Sequence, residues 1–267
     1  MTEPLIQSSQ TGAVRTLTLA RPQALNSFTG AMLEALLHAL DQIAQDRGVR
    51  CVVLTGAGRA FCAGQDLSDP LVAPDPAPGA PAKDLGTMIE RFYTPLVRRL
   101  RSMPVPVVAA VNGVAAGAGA SLALNCDVVM AAHTASFVQA FSKIGLVPDT
   151  GATWLLPRLV GRAQALGLAL LGDKLGAEQA ERIGLIWKCV DAAALQDEAQ
   201  ALAQRLAAMP SKALAMTRQA IDQAQTVPME QALENETALQ RELGRAHDYL
   251  EGVAAFAAKR APAFSDR

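Results

Sequence analysis

The chain has little of several features that define special classes of protein. Aromatic residues make up only 4% of its 267 residues, and the formal net charge is −1. A nearly neutral chain is a poor general partner for nucleic acid or for an anionic membrane surface. No apolar run approaches the length of a membrane span, and much of the 51% hydrophobic content is alanine. We therefore expect neither nucleic acid nor a membrane as a partner.

The sequence patterns that mark metal sites, disulfides and secretion are also missing. The three histidines show no metal-ligand spacing. The start of the chain, Met1–Gln10, has an acid and a proline but lacks the basic start of a signal peptide. The four cysteines are Cys51, Cys62, Cys126 and Cys189, which lie in separate apolar segments and form no CxxC pair. This pattern is typical of buried free thiols in a reducing compartment. We predict a cytoplasmic protein without a metal site.

What the chain does have is an alternation of short apolar runs and helical repeats. Apolar residues recur at helical spacing over Phe28–Arg47 and Asp84–Met103. The apolar runs that indicate strands are Ala13–Ala20, Val49–Thr55, Val105–Val111 and Asp127–Ala131. Strands that alternate with helices predict parallel βαβ units and an α/β core with helices on both faces.

Two segments depart from this alternation. Proline and alanine are concentrated in Asp69–Lys83, which predicts a mobile loop. From Ala193 to Lys259 the pattern is helical throughout. The length suits one large domain, or a domain with a small appendage. We therefore divide the chain into a core of residues 1–192 and a helical region of residues 193–267.

A lone acid, Asp149, stands on a turn inside the apolar stretch Phe137–Leu159. Burial among apolar side chains raises the pKa of a carboxyl group and makes it a usable general base near neutral pH. Aspartate is also a favoured N-cap, and a helix is expected to begin near Thr150. The local sequence leaves both roles open.

Two glycine-rich turns, Gly56–Leu67 and Val111–Ser121, each follow a predicted strand. In α/β sheets such turns lie where ligands usually bind, and their small residues leave backbone N–H groups free to point at a ligand. Donors from both turns could converge on one carbonyl oxygen and stabilise it as an oxyanion. Close packing of helix on strand explains either turn taken alone.

Both turns lack the residues of other well-known sites. Neither is a GxGxxG dinucleotide turn, and neither has the Gly-Lys-Ser/Thr of a P-loop. Ser121 is outside any Gly-x-Ser-x-Gly elbow and has no histidine nearby in the sequence, which argues against a serine hydrolase. Two such turns in one chain favour the oxyanion role.

Stretches spread over nearly the whole chain resemble the crotonase (enoyl-CoA hydratase/isomerase) superfamily. They are Arg21–Asn26, Gly58–Asp66, Asn112–Ser121 with Cys126–Asp127, and Phe256–Phe264. The resemblance implies an α/β, crotonase-like (ClpP/crotonase) fold of ββα repeats with a helical C-terminal trimerisation region. It also implies assembly as a homotrimer or a dimer of trimers.

The resemblance further implies an acyl-CoA substrate whose thioester oxygen is held by a pair of backbone N–H groups. Matched by motif, these donors are Ala63 and Ala118. No separate cofactor is implied, because CoA is part of the substrate.

The chain departs from the hydratases of the family at the positions of their paired glutamates. Those positions hold Ser121 and Phe141, whereas Asp149 stands where the hydratases have glycine. An aspartate there resembles the acid of dienoyl-CoA isomerases and of ring-processing members. The resemblance therefore implies that Asp149 is a general base with no evident partner for handling water.

Within the family, Phe61–Leu67 and Thr153–Arg158 resemble the branch that isomerises ring-1,2-epoxyphenylacetyl-CoA to oxepin-CoA. That branch also shifts the double bond of a dehydroadipyl-CoA intermediate in phenylacetate degradation. The resemblance implies such an isomerase, which could associate with other enzymes of the pathway. An enoyl-CoA hydratase of β-oxidation with a different water-activating residue, or a non-catalytic acyl-CoA-binding subunit, stays open.

Family resemblance also suggests the residues that bind the CoA and acyl groups. The residues that bind substrate or CoA are predicted to be Ala24, Leu25, Gln65, Asp66, Leu67, Gly117, Phe141 and Lys259. Asp66 could instead hold its turn, and Lys259 could be a cation at a helix end. Phe92, Tyr93 and Trp154 fit either the acyl pocket or core packing.

Overall fold

The structure, a computed structural model, describes residues 4–267, so the first three residues of Met1–Gln10 lie outside the described residues. Ten strands in the described part, β1 to β10, form two sheets. Their bounds are Ile6–Thr11, Val14–Leu19, Cys51–Gly56, Ala60–Cys62, Val107–Val111, Val114–Ala116, Val128–Ala132, Ser136–Val138, Lys174–Gly176 and Lys188–Val190.

Ten α-helices, α1 to α10, occur in the same described residues. Their bounds are Gly30–Gln45, Leu85–Met88, Thr94–Arg101, Ala118–Leu124, Ala152–Leu171, Ala177–Arg182, Leu195–Ala207, Ser211–Ala224, Met229–Leu243 and His247–Ala257. Two 3-10 turns, Pro22–Ala24 and Ala140–Ile144, and a π-helical turn, Ile89–Tyr93, lie between them. None of the described helices is both long and apolar enough to cross a bilayer.

The larger sheet has the strand order β1-β2-β3-β5-β7-β10. Its strands run parallel except for the antiparallel pair β1 and β2. Every residue of β3 and β5 is buried, as expected for central parallel strands that are covered on both faces. The predicted parallel α/β core is confirmed. Strand β1 was not predicted, because most of its residues are polar and exposed.

The smaller sheet, in the order β4-β6-β8-β9, lies beside the larger one. Strands β4, β6 and β8 each follow a strand of the larger sheet after a tight turn, which makes the ββα repeat that the family resemblance implied. They have three residues each, too few for a periodic pattern in the sequence. The turns need glycine, because a Cβ on Gly56 would lie 2.2 Å from the carbonyl oxygen of Ala60.

The helix predicted over Asp84–Met103 is divided into α2, the π-helical turn and α3. The loop Asp69–Lys83 contains no helix or strand, as predicted. The buried carboxylate of Asp69 ties the loop to the start of α1, where the Gly30 N–H donates to it at 2.9 Å. The mobility of the loop stays a prediction.

The C-terminal third is helical, as predicted. Helix α7 packs on β2, β3, β5 and β7, through small or apolar residues at helical spacing: Leu195, Ala199, Ala203 and Ala207. Helix α8 packs on α9. The boundary between residues 192 and 193 stays a prediction.

Candidate active site

Asp149 lies on the turn between the second 3-10 turn and α5, with its side chain half-buried. Burial raises the pKa of its carboxyl group above the usual 3.8, and a hydrogen bond from Thr150 opposes this rise. That bond runs from the Thr150 hydroxyl to Asp149 Oδ1 at 2.9 Å. A carboxylate with a raised pKa is a stronger base and suits proton abstraction.

The N-cap interpretation of Asp149 is wrong. Helix α5 begins at Ala152, and its N-cap is Gly151, with no side-chain capping hydrogen bond. The helix start uses only the main-chain oxygen of Asp149, which accepts from the Ala152 N–H at 3.0 Å. The carboxylate is therefore left available for chemistry.

The turn that carries Asp149 has an unusual backbone and a specific anchor. Thr150 has a φ of 54°, a left-handed conformation that costs a non-glycine residue on the order of 1–2 kcal/mol. The buried side chain of Asn125 holds it, because Nδ2 donates to the carbonyl of Thr150 at 2.9 Å and to that of Ser121 at 2.8 Å. The acid is thereby fixed to α4.

Ala118 is the first residue of α4, at the end of the second glycine-rich turn. The first N–H groups of a helix have no partner within the helix. The preceding Gly117 supplies no capping side chain, and within residues 4–267 the Ala118 N–H has no acceptor. This N–H is free to donate to a ligand.

The assignment of Ala63 as the other donor is wrong. Its N–H donates to the carbonyl oxygen of Leu25 at 3.0 Å, so it is already occupied. The acceptor that occupies this N–H lies almost 40 residues earlier in the chain, so the sequence motif gives no sign of it.

Among the described residues, the N–H of Gln65, two residues after Ala63, is free. Gln65 forms an isolated parallel bridge with Phe28, in which the hydrogen bonds use the Gly64 carbonyl and the Asp66 N–H. The Gln65 N–H faces away from this bridge and meets no acceptor in the described part of the chain. A Cβ on Gly64 would lie 3.6 Å from the nitrogen of Ala118. The fold thus brings the N–H groups of Gln65 and Ala118 close together.

Close backbone contact joins β4 to α4. A Cβ on Gly119 would lie 2.4 Å from the carbonyl oxygen of Cys62 and 2.8 Å from its sulfur. Burial raises the pKa of the Cys62 thiol to about 12, so this group stays protonated beside the turns. The close-packing interpretation of the glycine-rich turns therefore holds at Gly119, while ligand binding by the free N–H groups stays a prediction.

Ser121 ends the second glycine-rich turn and Phe141 lies against it, and neither side chain carries a carboxyl group. Ser121 is fully buried, and its hydroxyl donates to the carbonyl of Gly117 at 3.1 Å. The ring of Phe141, also buried, would lie 3.8 Å from a Cβ on Gly117. Gly117 and Phe141 thus form one apolar wall next to the free N–H of Ala118.

Asp66 holds its turn through polar contacts. Its carboxylate accepts from the Ser68 hydroxyl at 2.6 Å and from the Arg21 guanidinium at 2.9 Å. The hydrogen bond from Ser68 is the main reason that the pKa of Asp66 lies below its usual value, with Arg21 contributing. Asp66 is therefore ionised and bonded, and unsuited to act as a base.

Three other residues that are predicted to bind CoA lie in or near the first glycine-rich turn. Ala24 ends the 3-10 turn Pro22–Ala24, and Leu25 follows it with a φ of 50°. Leu67 is 57% exposed. Lys259 lies just after α10 with a φ of 51°. Their contacts with CoA stay predictions.

The aromatic candidates have different surroundings. Phe92 is buried in the main core. Tyr93 lies beside the first glycine-rich turn, where its hydroxyl donates to Gln65 Oε1 at 2.6 Å. Trp154 is half-buried on α5 beneath two guanidinium groups, those of Arg101 and Arg158. Only Tyr93 is thus bonded to a residue of the glycine-rich turns.

One group of metal-type ligands occurs in the described residues, and it lies at the C-terminal end: His247, Asp248 and Asp266. Asp248 accepts main-chain hydrogen bonds from Ser265 and Asp266 at 2.7 and 3.1 Å. These bonds fasten the end of the chain to α10 and use the carboxylate oxygens that a metal would need.

Comparisons with known proteins agree with the geometry. A family model described as Enoyl-CoA hydratase/isomerase matches residues 9–267. The 1,2-epoxyphenylacetyl-CoA isomerase of Escherichia coli (strain K12) is 56% identical over 254 residues, 95% of either chain. The 2,3-dehydroadipyl-CoA hydratase of the same strain is 35% identical over 267 residues, 100% of either chain. The crystal structure of an enoyl-CoA hydratase from Polaromonas sp. JS666, 35% identical, superposes with a TM-score of 0.87 over 97% of this chain and 99% of that one. The chain therefore belongs to the enoyl-CoA hydratase/isomerase, or crotonase, family.

Proposed function

We propose that the protein is an acyl-CoA isomerase that transfers a proton at the carbon next to the thioester. It converts ring-1,2-epoxyphenylacetyl-CoA to oxepin-CoA and moves the double bond of 3-enoyl-CoA substrates, of the dehydroadipyl-CoA type, to the 2,3 position. The observation that carries this proposal is the half-buried carboxylate of Asp149, with its raised pKa, on a turn tied to the helix that presents the Ala118 N–H. The 56% identical relative named 1,2-epoxyphenylacetyl-CoA isomerase supports the same reaction.

The first step is the formation of an enolate. The N–H groups of Gln65 and Ala118 bind the thioester oxygen and make the protons on C2 more acidic. Asp149 accepts one of these protons, and the remaining electron pair becomes an enolate whose charge rests on the bound oxygen. One donor of this kind typically lowers a barrier by roughly 3 kcal/mol.

The second step depends on the substrate. In a 3-enoyl-CoA the enolate is conjugated with the C3–C4 double bond, so Asp149 returns the proton at C4 and the double bond moves to C2–C3. In the epoxide the carbon–carbon bond between the two oxygen-bearing ring carbons breaks while both C–O bonds are kept, so the ring expands to the seven-membered oxepin, and the enolate electrons shift its double bonds toward C2. The proton returns to the expanded ring, so that substrate and product have the same composition.

Side chains at two positions favour isomerisation over hydration. Ser121 is buried with its hydroxyl bonded to Gly117, and Phe141 places an apolar ring against the same turn. Neither can activate water as a carboxylate does. A water-poor wall also protects the enolate from diversion and strengthens the hydrogen bonds that hold it.

We also propose a homotrimer or a dimer of trimers, assembled through the C-terminal helices. Apolar side chains are exposed on α9 and α10, and clusters of this kind typically mark interfaces: Leu233, Tyr249, Leu250, Val253 and Phe256, the last 87% exposed. Association with other phenylacetate-pathway enzymes and a cytoplasmic location complete the proposal. Four free cysteines support that location.

The proposed reaction is tested by product analysis. The protein is incubated with a 3-enoyl-CoA and with ring-1,2-epoxyphenylacetyl-CoA, and the products are examined by mass and ultraviolet spectra. An isomerase leaves the mass unchanged while the spectrum changes. A gain of one water would favour the hydratase alternative, and tight binding without turnover would favour a non-catalytic subunit.

A further inference from the structure

The helical segment made of α2, the π-helical turn and α3 is widened at one turn. In the segment Ile89–Tyr93 the hydrogen bonding is π-helical, and the N–H of Thr94 donates to the carbonyl of Ile89, five residues earlier. Pro95 explains this position, because proline has no N–H and its ring clashes with the carbonyl four residues before it. Short π-helical turns occur frequently at functional sites.

This turn ends at Tyr93, a buried tyrosine with one polar contact. Its side chain is 3% exposed, and its ring packs edge-on against Phe28 at 6.2 Å between centroids. Its hydroxyl donates to Gln65 Oε1 at 2.6 Å. Phe28 is the same residue that bridges Gln65 through the main chain. Tyr93 therefore contacts both residues of that bridge.

The side-chain amide of Gln65 is held at both ends. Its oxygen accepts from Tyr93, and its nitrogen donates to the main-chain carbonyl of Asp66 at 3.2 Å. Burial raises the pKa of Tyr93 well above its usual value, with the charges of Asp149 and Asp69 contributing. The phenol thus stays protonated and remains a donor, within reach of the charge on Asp149.

We propose that Tyr93 is a positioning residue of the isomerase: its hydroxyl fixes the Gln65 side chain and thereby aims the Gln65 N–H at the thioester oxygen. This inference rests on the proposed function. Phenylalanine at position 93 would fill the same space but would leave the amide oxygen of Gln65 without its donor. The consequence is weaker polarisation of the thioester carbonyl, with little effect on the binding of CoA.

The test is the Tyr93→Phe variant, with Thr11→Val as its control. Thr11 is exposed at the end of β1, so this change also removes one hydroxyl but lies outside the site and outside the proposed interface. We expect kcat on a 3-enoyl-CoA to fall about five- to tenfold in Tyr93→Phe, the scale of one lost hydrogen bond, while KM stays near the wild-type value. Gln65→Met should act similarly, and the double variant should add little.

A second readout is independent of turnover. A saturated acyl-CoA with a 13C-labelled thioester carbonyl is bound to each protein, and the carbonyl stretch is measured by infrared difference spectroscopy. We expect a smaller shift to low frequency in Tyr93→Phe than in the wild type or in Thr11→Val. An unchanged stretch in a folded Tyr93→Phe protein overturns the positioning role. Absence of isomerisation by the wild type would instead count against the proposed function.

Discussion

Asn125 Nδ2 donates to the main-chain oxygen of Thr150 at 2.9 Å and so fixes the residue that follows Asp149. The same amide donates to the carbonyl of Ser121 in α4. Because α4 begins with Ala118, one buried side chain relates the acid to one of the free N–H donors. A single buried amide thus links the Asp149 turn to the helix that begins with Ala118.

Replacing this amide should uncouple the acid from the donors. Asn125→Ala leaves two carbonyls without their buried donor, so we expect the free energy of unfolding to fall by about 1–3 kcal/mol. Isomerase turnover should fall further than the loss of folded protein explains, because Asp149 loses its anchor. Asn235→Ala on α9 is the control. Equal turnover in the two folded variants would show that the anchor is unimportant.

The contact between the two glycine-rich turns predicts a sharp contrast between two helical glycines. Gly119→Ala would place a Cβ 2.4 Å from the Cys62 carbonyl, whereas Gly167, in α5, has nothing within 4 Å of a Cβ. We expect Gly119→Ala to lose about 1–3 kcal/mol of stability together with most activity. Gly167→Ala should be neutral or gain up to about 1 kcal/mol. Thermal unfolding and turnover of both variants check this, and similar values for the two would refute it.

The sequence predicted structural features that rest on a pattern repeated along the chain, or on a residue that differs chemically from its neighbours. The apolar runs of β3 and β5 predicted a parallel core, and the position of Asp149 in an apolar stretch predicted the raised pKa of its carboxyl group. Prediction failed where a contact between distant segments decides. Whether Ala63 or Gln65 has the free N–H depends on hydrogen bonds with Leu25 and Phe28, and three-residue strands carry no period.

The pH dependence of turnover follows from the state of Asp149. Only its carboxylate form accepts a proton, so kcat/KM should fall as the pH is lowered through the pKa of Asp149. Since burial raises that pKa above 3.8, the fall should begin at a higher pH than an exposed aspartate would give.

Variants of Thr150 test whether the fall in kcat/KM at low pH, the acid limb of the pH profile, reports the titration of Asp149. The Thr150 hydrogen bond lowers the pKa of Asp149, so Thr150→Ala should move the acid limb to higher pH, while Thr150→Ser should leave it in place. An acid limb that coincides in all three proteins would argue that another group titrates.

The raised pKa also predicts a stability cost. A carboxyl group whose pKa is higher in the folded than in the unfolded protein stabilises the fold when protonated, below the unfolded value of 3.8, and this contribution is lost as the pH rises through the folded pKa. Asp149→Asn should therefore be more stable than the wild type at neutral pH, with the difference disappearing in acid. Asp75→Asn, in the exposed loop, should show no such gain. Chemical denaturation at several pH values decides, and a less stable Asp149→Asn at neutral pH would be inconsistent with a destabilising charge.

Proton transfer by Asp149 is tested most directly by the rate at which Asp149→Asn moves the double bond of a 3-enoyl-CoA. We predict that turnover falls by roughly two to four orders of magnitude, the usual effect of losing a general base, while the affinity for a saturated acyl-CoA is retained. Turnover close to that of the wild type in this folded variant would contradict the assignment of Asp149 as the base.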